Sequence, residues 1–152
     1  MDVIDDRPLV LVTLLLVAAG HLGFQLTVSL VVYPALAEVV DEAWPVAHER
    51  HARRIAPLVG AIYVPLVLVL AWTAATAPQA AGTWLALVGG ALSVLSTAAI
   101  AAPLHGRLAT VPAGERPQLL GDLGRVDLIR TVGAVVCLLG AVLLLTGWSS
   151  GP

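Results

Sequence analysis

The chain has 152 residues, of which 59% are hydrophobic and 12% charged, and its formal net charge is -2. A soluble domain carries roughly 25% charged residues, so half the usual charge is missing, and a chain of mean hydropathy +0.93 must use lipid as part of its solvent. The length fits one domain spanning 1–152, and the eight basic residues, all arginine, form no run of the kind that binds nucleic acid.

The N-terminus does not read as a cleavable signal. Asp2, Asp5 and Asp6 stand where a basic leader segment belongs, and the apolar run behind them is too long for a signal core. That first run, about 8–36, starts at Pro8, where a missing N–H costs a helix nothing. About 20 residues cross a hydrocarbon core, so it is predicted to be a retained span. It is interrupted by His21, Gln25, Thr27 and Ser29 and closes in Tyr33-Pro34.

An acidic connection follows (Glu38, Asp41, Glu42), then Trp44-Pro45 and the polar knot His48-Glu-Arg-His51-Ala-Arg-Arg54. The second predicted span covers about 55–74, with Pro57 and Pro65 at or inside it. Pro65 is expected to kink the helix and free a carbonyl near Ala61. A charge-free loop leads to the third span, about 84–102. Its Gly89, Gly90, Ser93, Ser96 and Thr97 favour close helix contact. Pro103-Leu-His105-Gly-Arg107 closes it. A polar segment and an amphipathic lead-in, Leu119 to Ile129, precede the fourth span, about 131–146. The predicted fold is all-α: a bundle of four transmembrane helices. The small-residue faces of the first and third spans would also permit a homo-oligomer.

Arginine sets the expected orientation. Arg50, Arg53, Arg54, Arg107, Arg116 and Arg125 lie in the first and third connections, and the second connection has none. The positive-inside rule then puts those connections in the cytoplasm and both termini outside, in a bacterial-type cytoplasmic membrane. Trp72, Trp84 and Trp148 fall at the opposite boundary, where an aromatic belt is expected.

The polar residues gather at the cytoplasmic helix ends. His48 and His51, three apart, share a helical face, and with His105 they are candidates either for a base or for a transition-metal site. Interfacial hydrogen bonding is the plainer role. Cys137, alone in an apolar run, reads as a buried hydrophobe. His21 lies twelve residues from Tyr33, roughly 18 Å along a helix, near the bilayer middle. An ionisable group there points to function, or else to a neutral ring bonded by Ser93, Ser96 or Thr97. Gln25 shares its face, so the two are expected to line a pocket opening toward the knot. Arg130 is expected to pair with Asp127 three residues before it, and with Arg54 to stabilise an anion. Gln25, Arg54, Tyr63 and Asp127 are the expected substrate contacts. His21, His48, His51, His105 and Arg130 are the expected catalytic set.

Tyr33-Pro34-Ala35-Leu36, then Trp44, then Pro103-Leu104-His105-Gly106-Arg107-Leu108, then Arg130 at the mouth of the fourth span resembles the anthrone-oxygenase-like family of small four-helix membrane proteins. That family would carry asparagine near His105 and at the position of Asp127. The resemblance implies oxidation of a lipophilic, aromatic polyketide-like molecule by dioxygen with no obvious cofactor. Such chemistry needs a base, a cation for the resulting anion and an apolar, oxygen-admitting pocket. The alternatives are a histidine-ligated metalloenzyme and a non-catalytic bundle that binds membrane lipid or a partner membrane protein. A transporter is disfavoured by the absence of an inverted repeat.

Overall fold

The computed structural model describes residues 7–149. The acidic residues Asp2, Asp5 and Asp6 and the side chain of Trp148 lie outside what it describes. Four helices are long and apolar enough to cross a membrane: Pro8–Ala37, Trp44–Thr76, Ala81–Leu108 and Ala113–Gly147. They are called the first to fourth helices below. No strand occurs among the described residues.

Each helix outlasts its apolar run. The second begins at Trp44, with Pro45 in its first turn, where its missing N–H removes no bond. The polar knot is therefore helical instead of lying in a connection. The helix continues through both Pro57 and Pro65. The lead-in Leu119 to Ile129 is likewise one continuous helix with the fourth span, Arg116–Ser149.

The first and third helices share a deviation. Each contains a wide π turn, Val28–Val32 in the first and Thr97–Ala101 in the third. Pro34 and Pro103 stand at the start of the α-helical segments that follow, Tyr33–Ala37 and Ala102–Leu108. Proline donates no N–H and crowds the carbonyl one turn back. A single wide turn absorbs that mismatch without ending the helix.

The third and fourth helices make the most extensive contact of the bundle. Positions 82, 86, 89 and 93 of the third meet 133, 137, 140 and 144 of the fourth, both series alternating steps of four and three. The contact is backbone on backbone. A Cβ at Gly89 would collide with the Cys137 backbone and the Gly133 carbonyl, and one at Gly133 with Ser93 and the Gly89 carbonyl. Ser93 Oγ then donates across the seam to the Arg130 carbonyl at 2.7 Å. The small residues of the third helix are thus consumed within the chain, not left for a second copy.

Two apolar cores result. One holds Leu14, Ala18, Leu66, Leu70, Cys137 and Leu144. The other holds Leu36, Trp44, Leu104, Leu108, Leu119 and Leu123. On the first, third and fourth helices the buried polar residues His21 and Gln25, Ser93 and Ser96, Asp127 and Arg130 fall between the two cores. The second helix approaches the first along Arg7–Thr27 and the third along Ala81–Ser96. It stands off where the two π turns lie, and that gap is the site described next.

Candidate functional site

A cavity of about 300 Å³ fills the gap. The first helix contributes Phe24, Val28, Val32 and Tyr33, mostly from its π turn and the residue that follows it. The second contributes Ala52, Ile55, Ala56 and Val59 with His51 and Tyr63. The third adds Thr97, Ala101, Ala102 and His105, and the fourth adds Arg130. The walls are aliphatic, and the polar groups are few and come from all four helices. Small-molecule sites have this character, with volumes of roughly 300–1,000 Å³.

Arg130 is the buried cation of the wall, 5% exposed. Its Nη2 donates to Asp127 Oδ1 at 2.8 Å, the i,i+3 pairing expected from the sequence. Asp127 is itself held by Ser29 Oγ of the first helix, which donates to Oδ2. Arg130 Nη1 makes a long contact, 3.4 Å, with the Tyr33 hydroxyl, and its Nε–H has no partner. Asp127 therefore fixes the guanidinium without using up its donors, and the remaining donors stand at the cavity.

The three histidines of the mouth are neighbours. His48 stacks on Trp44 with ring centroids 5.2 Å apart. The centroid separations are 6.1 Å for His48–His105 and 5.7 Å for His51–His105. Nε2 of His48, Nε2 of His51 and Nδ1 of His105 are buried without a hydrogen-bond partner. His51 and His105 face the cavity, and His48 stands behind them. Trp44 is locked by its indole N–H on the Leu108 carbonyl at 3.0 Å and by Arg116, whose guanidinium lies 4.4 Å from its ring centroid. Arg116 in turn pairs with Asp41 at 2.5 Å. Among the described residues no group of three or more His, Cys, Asp or Glu side chains is disposed to hold a metal ion, adjacent as the three rings are.

The structure departs from the sequence-based expectation at three positions. Arg54 is exposed and does not reach the cavity. It belongs to the outward face of the second helix with Arg50 and Leu58, while Ala52, Ile55 and Val59 face inward. His21 and Gln25 are fully buried but do not line the cavity. Phe24 and Val28 take that place on their helix. Nor do hydroxyls satisfy His21. Ser93 donates to the Arg130 carbonyl, Ser96 to the Leu92 carbonyl at 2.6 Å, and Thr97 to the Ser93 carbonyl at 2.7 Å. Each hydroxyl has one proton, and the nearby backbone takes it. His21 instead meets Tyr63 edge-on, with centroids 5.0 Å apart and planes at 70°.

Tyr33, Thr97 and Ser29 belong to the site although composition and spacing did not single them out for it. The signal available for Tyr33 was its place directly before Pro34, where the helix must widen. Ser29 and Thr97 gave no signal, because both are common helix-face hydroxyls until the π turns rotate them inward.

No family model, curated protein or solved structure matches the chain. The class is accordingly set by the fold: a bundle of four helices long and apolar enough to cross a membrane, as in an integral membrane protein.

Proposed function

We propose that the chain is a membrane-embedded oxidoreductase that takes a small, lipophilic, hydroxylated aromatic molecule into the cavity between the two π turns. The mouth histidines and the arginine-rich connections face the cytoplasm, and both termini lie outside. The observation that carries this reading is a buried arginine with donors to spare, set in an apolar wall beside two imidazoles with unpartnered nitrogens. An apolar cavity excludes water and strengthens every charge interaction inside it. An aromatic molecule with an acidic O–H or benzylic C–H would lose that proton to His51 or His105 and leave an anion beside Arg130. Tyr33 and Tyr63 supply ring surface for the bound molecule.

The oxidant is dioxygen, which is apolar and concentrates where water is excluded. For an activated methylene, the carbanion carbon bonds to one oxygen atom. The resulting peroxide anion recovers the proton from the imidazolium. The hydroperoxide then loses water and leaves a carbonyl at the former methylene. One substrate and one dioxygen give one ketone and one water, so the step balances without another reductant.

Anthrone is a suitable probe. Purified protein in detergent should consume one dioxygen per anthraquinone formed, and Arg130→Gln should lower the rate about 100-fold or more, the scale of losing an anion-stabilising group. Equal rates with native protein, Arg130→Gln and no protein would sink the proposal.

A further inference from the structure

Among the described residues, His21 and Gln25 are fully buried side chains with every polar atom unpartnered. They stand four apart on one face of the first helix, between its apolar core residues and the π turn. Phe24 and Val28 of the same helix line the cavity. Against His21, edge-on at 5.0 Å, lies the ring of Tyr63, which is also a cavity wall. The Tyr63 hydroxyl is tied to Thr97 Oγ1 at 3.0 Å. Thr97 spends its single proton on the Ser93 carbonyl, so it receives the Tyr63 proton. One ring, held by one neutral hydrogen bond, thus stands between the cavity and two polar groups.

Resting on the cavity reading above, we infer that His21 and Gln25 form an inner polar subsite, and that it takes the second oxygen of an aromatic ligand carrying oxygen at both ends. Arg130 receives the acidic oxygen. When Tyr63 turns, the inner pair receives the far one. The chemistry of the pair specifies that oxygen. A neutral imidazole has one donor and one acceptor, and a carboxamide has both kinds. Together they suit a hydroxyl or a carbonyl. Beyond them Leu14, Ala18 and Leu66 close the bundle with apolar surface, so nothing larger or charged is accommodated. The ligand class is a quinol or a hydroxyaryl ketone. A site built from buried polar groups discriminates against an analogue that leaves them unpaired far more strongly than an apolar wall does.

The test uses two ligands of nearly equal shape. Pentamethylphenol has one hydroxyl, and tetramethylhydroquinone replaces the opposite methyl by a second. Both are titrated anaerobically against full-length protein in detergent, in native form and as His21→Leu and Gln25→Leu. Native protein should bind the hydroquinone at least about tenfold more tightly. In each variant the two affinities should come within about twofold of each other, with pentamethylphenol still binding as the sign of an intact cavity. Should a leucine variant fail to fold, Gln25→Met reads the same ratio with an unbranched side chain. Equal native affinities, or a preference that survives both substitutions, would overturn the inner subsite alone. Binding of neither compound by native protein would overturn the cavity reading and the subsite with it.

Discussion

Asp127 and Arg130 form an ion pair of 2.8 Å on one face of the fourth helix, with side chains only 5% and 7% exposed. Breaking such a pair strands a charge in a low-dielectric interior, which costs about 3–5 kcal/mol. Asp127→Asn should lower unfolding stability by that order. The double variant with Arg130→Gln should recover much of the loss, because no lone charge remains. Denaturant titration of all three proteins measures the coupling, and additive losses would contradict a pair that acts as a unit.

The glycines divide into two kinds. A Cβ at Gly89 would meet the backbone of the fourth helix, whereas one at Gly23 meets nothing within 4 Å. Gly89→Ala should cost about 1–3 kcal/mol through forced separation of the helices. Gly23→Ala should be neutral or stabilising by about 0.5–1 kcal/mol through reduced backbone freedom. The same titrations decide it, and a tolerant Gly89 would mean that the third and fourth helices are less closely apposed than described.

Much of this architecture was legible in the sequence, and the reasons are physical. Four apolar runs of membrane length leave few alternative folds, and an i,i+3 acid–base pair can be read directly from Asp127 and Arg130. The burial of His21 and Gln25 follows from their depth in an apolar run. What spacing could not give was rotation. A π turn shifts the register of everything after it, so Ser29 and Thr97 face inward where a regular helix gives no reason to single them out. Arg54 failed for a related reason: proximity to His51 in sequence says nothing about which face of the second helix opposes the π turns. The partner of the Gly89 face also depends on the whole bundle, since the glycines announce close contact without saying with which helix.

His21 and Gln25 offer a stability test separate from ligand binding. Each unpartnered buried polar group costs roughly 1–3 kcal/mol. In the absence of ligand, Gln25→Leu should therefore raise the unfolding midpoint, since an apolar side chain suits a dry interior better. A large loss of stability would show that Gln25 is structurally bonded and not reserved for a ligand.

Orientation is open to a direct measurement. Reporter fusions after Arg54 and after Arg107 should read cytoplasmic, and a fusion after Trp148 should read external. A cytoplasmic C-terminus would place the histidine mouth on the opposite face and reverse the side from which the cavity exchanges protons.

The central claim is that Arg130 stabilises an anion formed inside the cavity, and the most direct measurement of it is the ultraviolet titration of bound pentamethylphenol against pH. A cation beside the bound oxygen favours the phenolate. The midpoint of deprotonation should therefore lie at least about one pH unit lower in native protein than in Arg130→Gln, the equivalent of roughly 1.4 kcal/mol. Identical midpoints in the two proteins, with the phenol bound in both, would contradict the account.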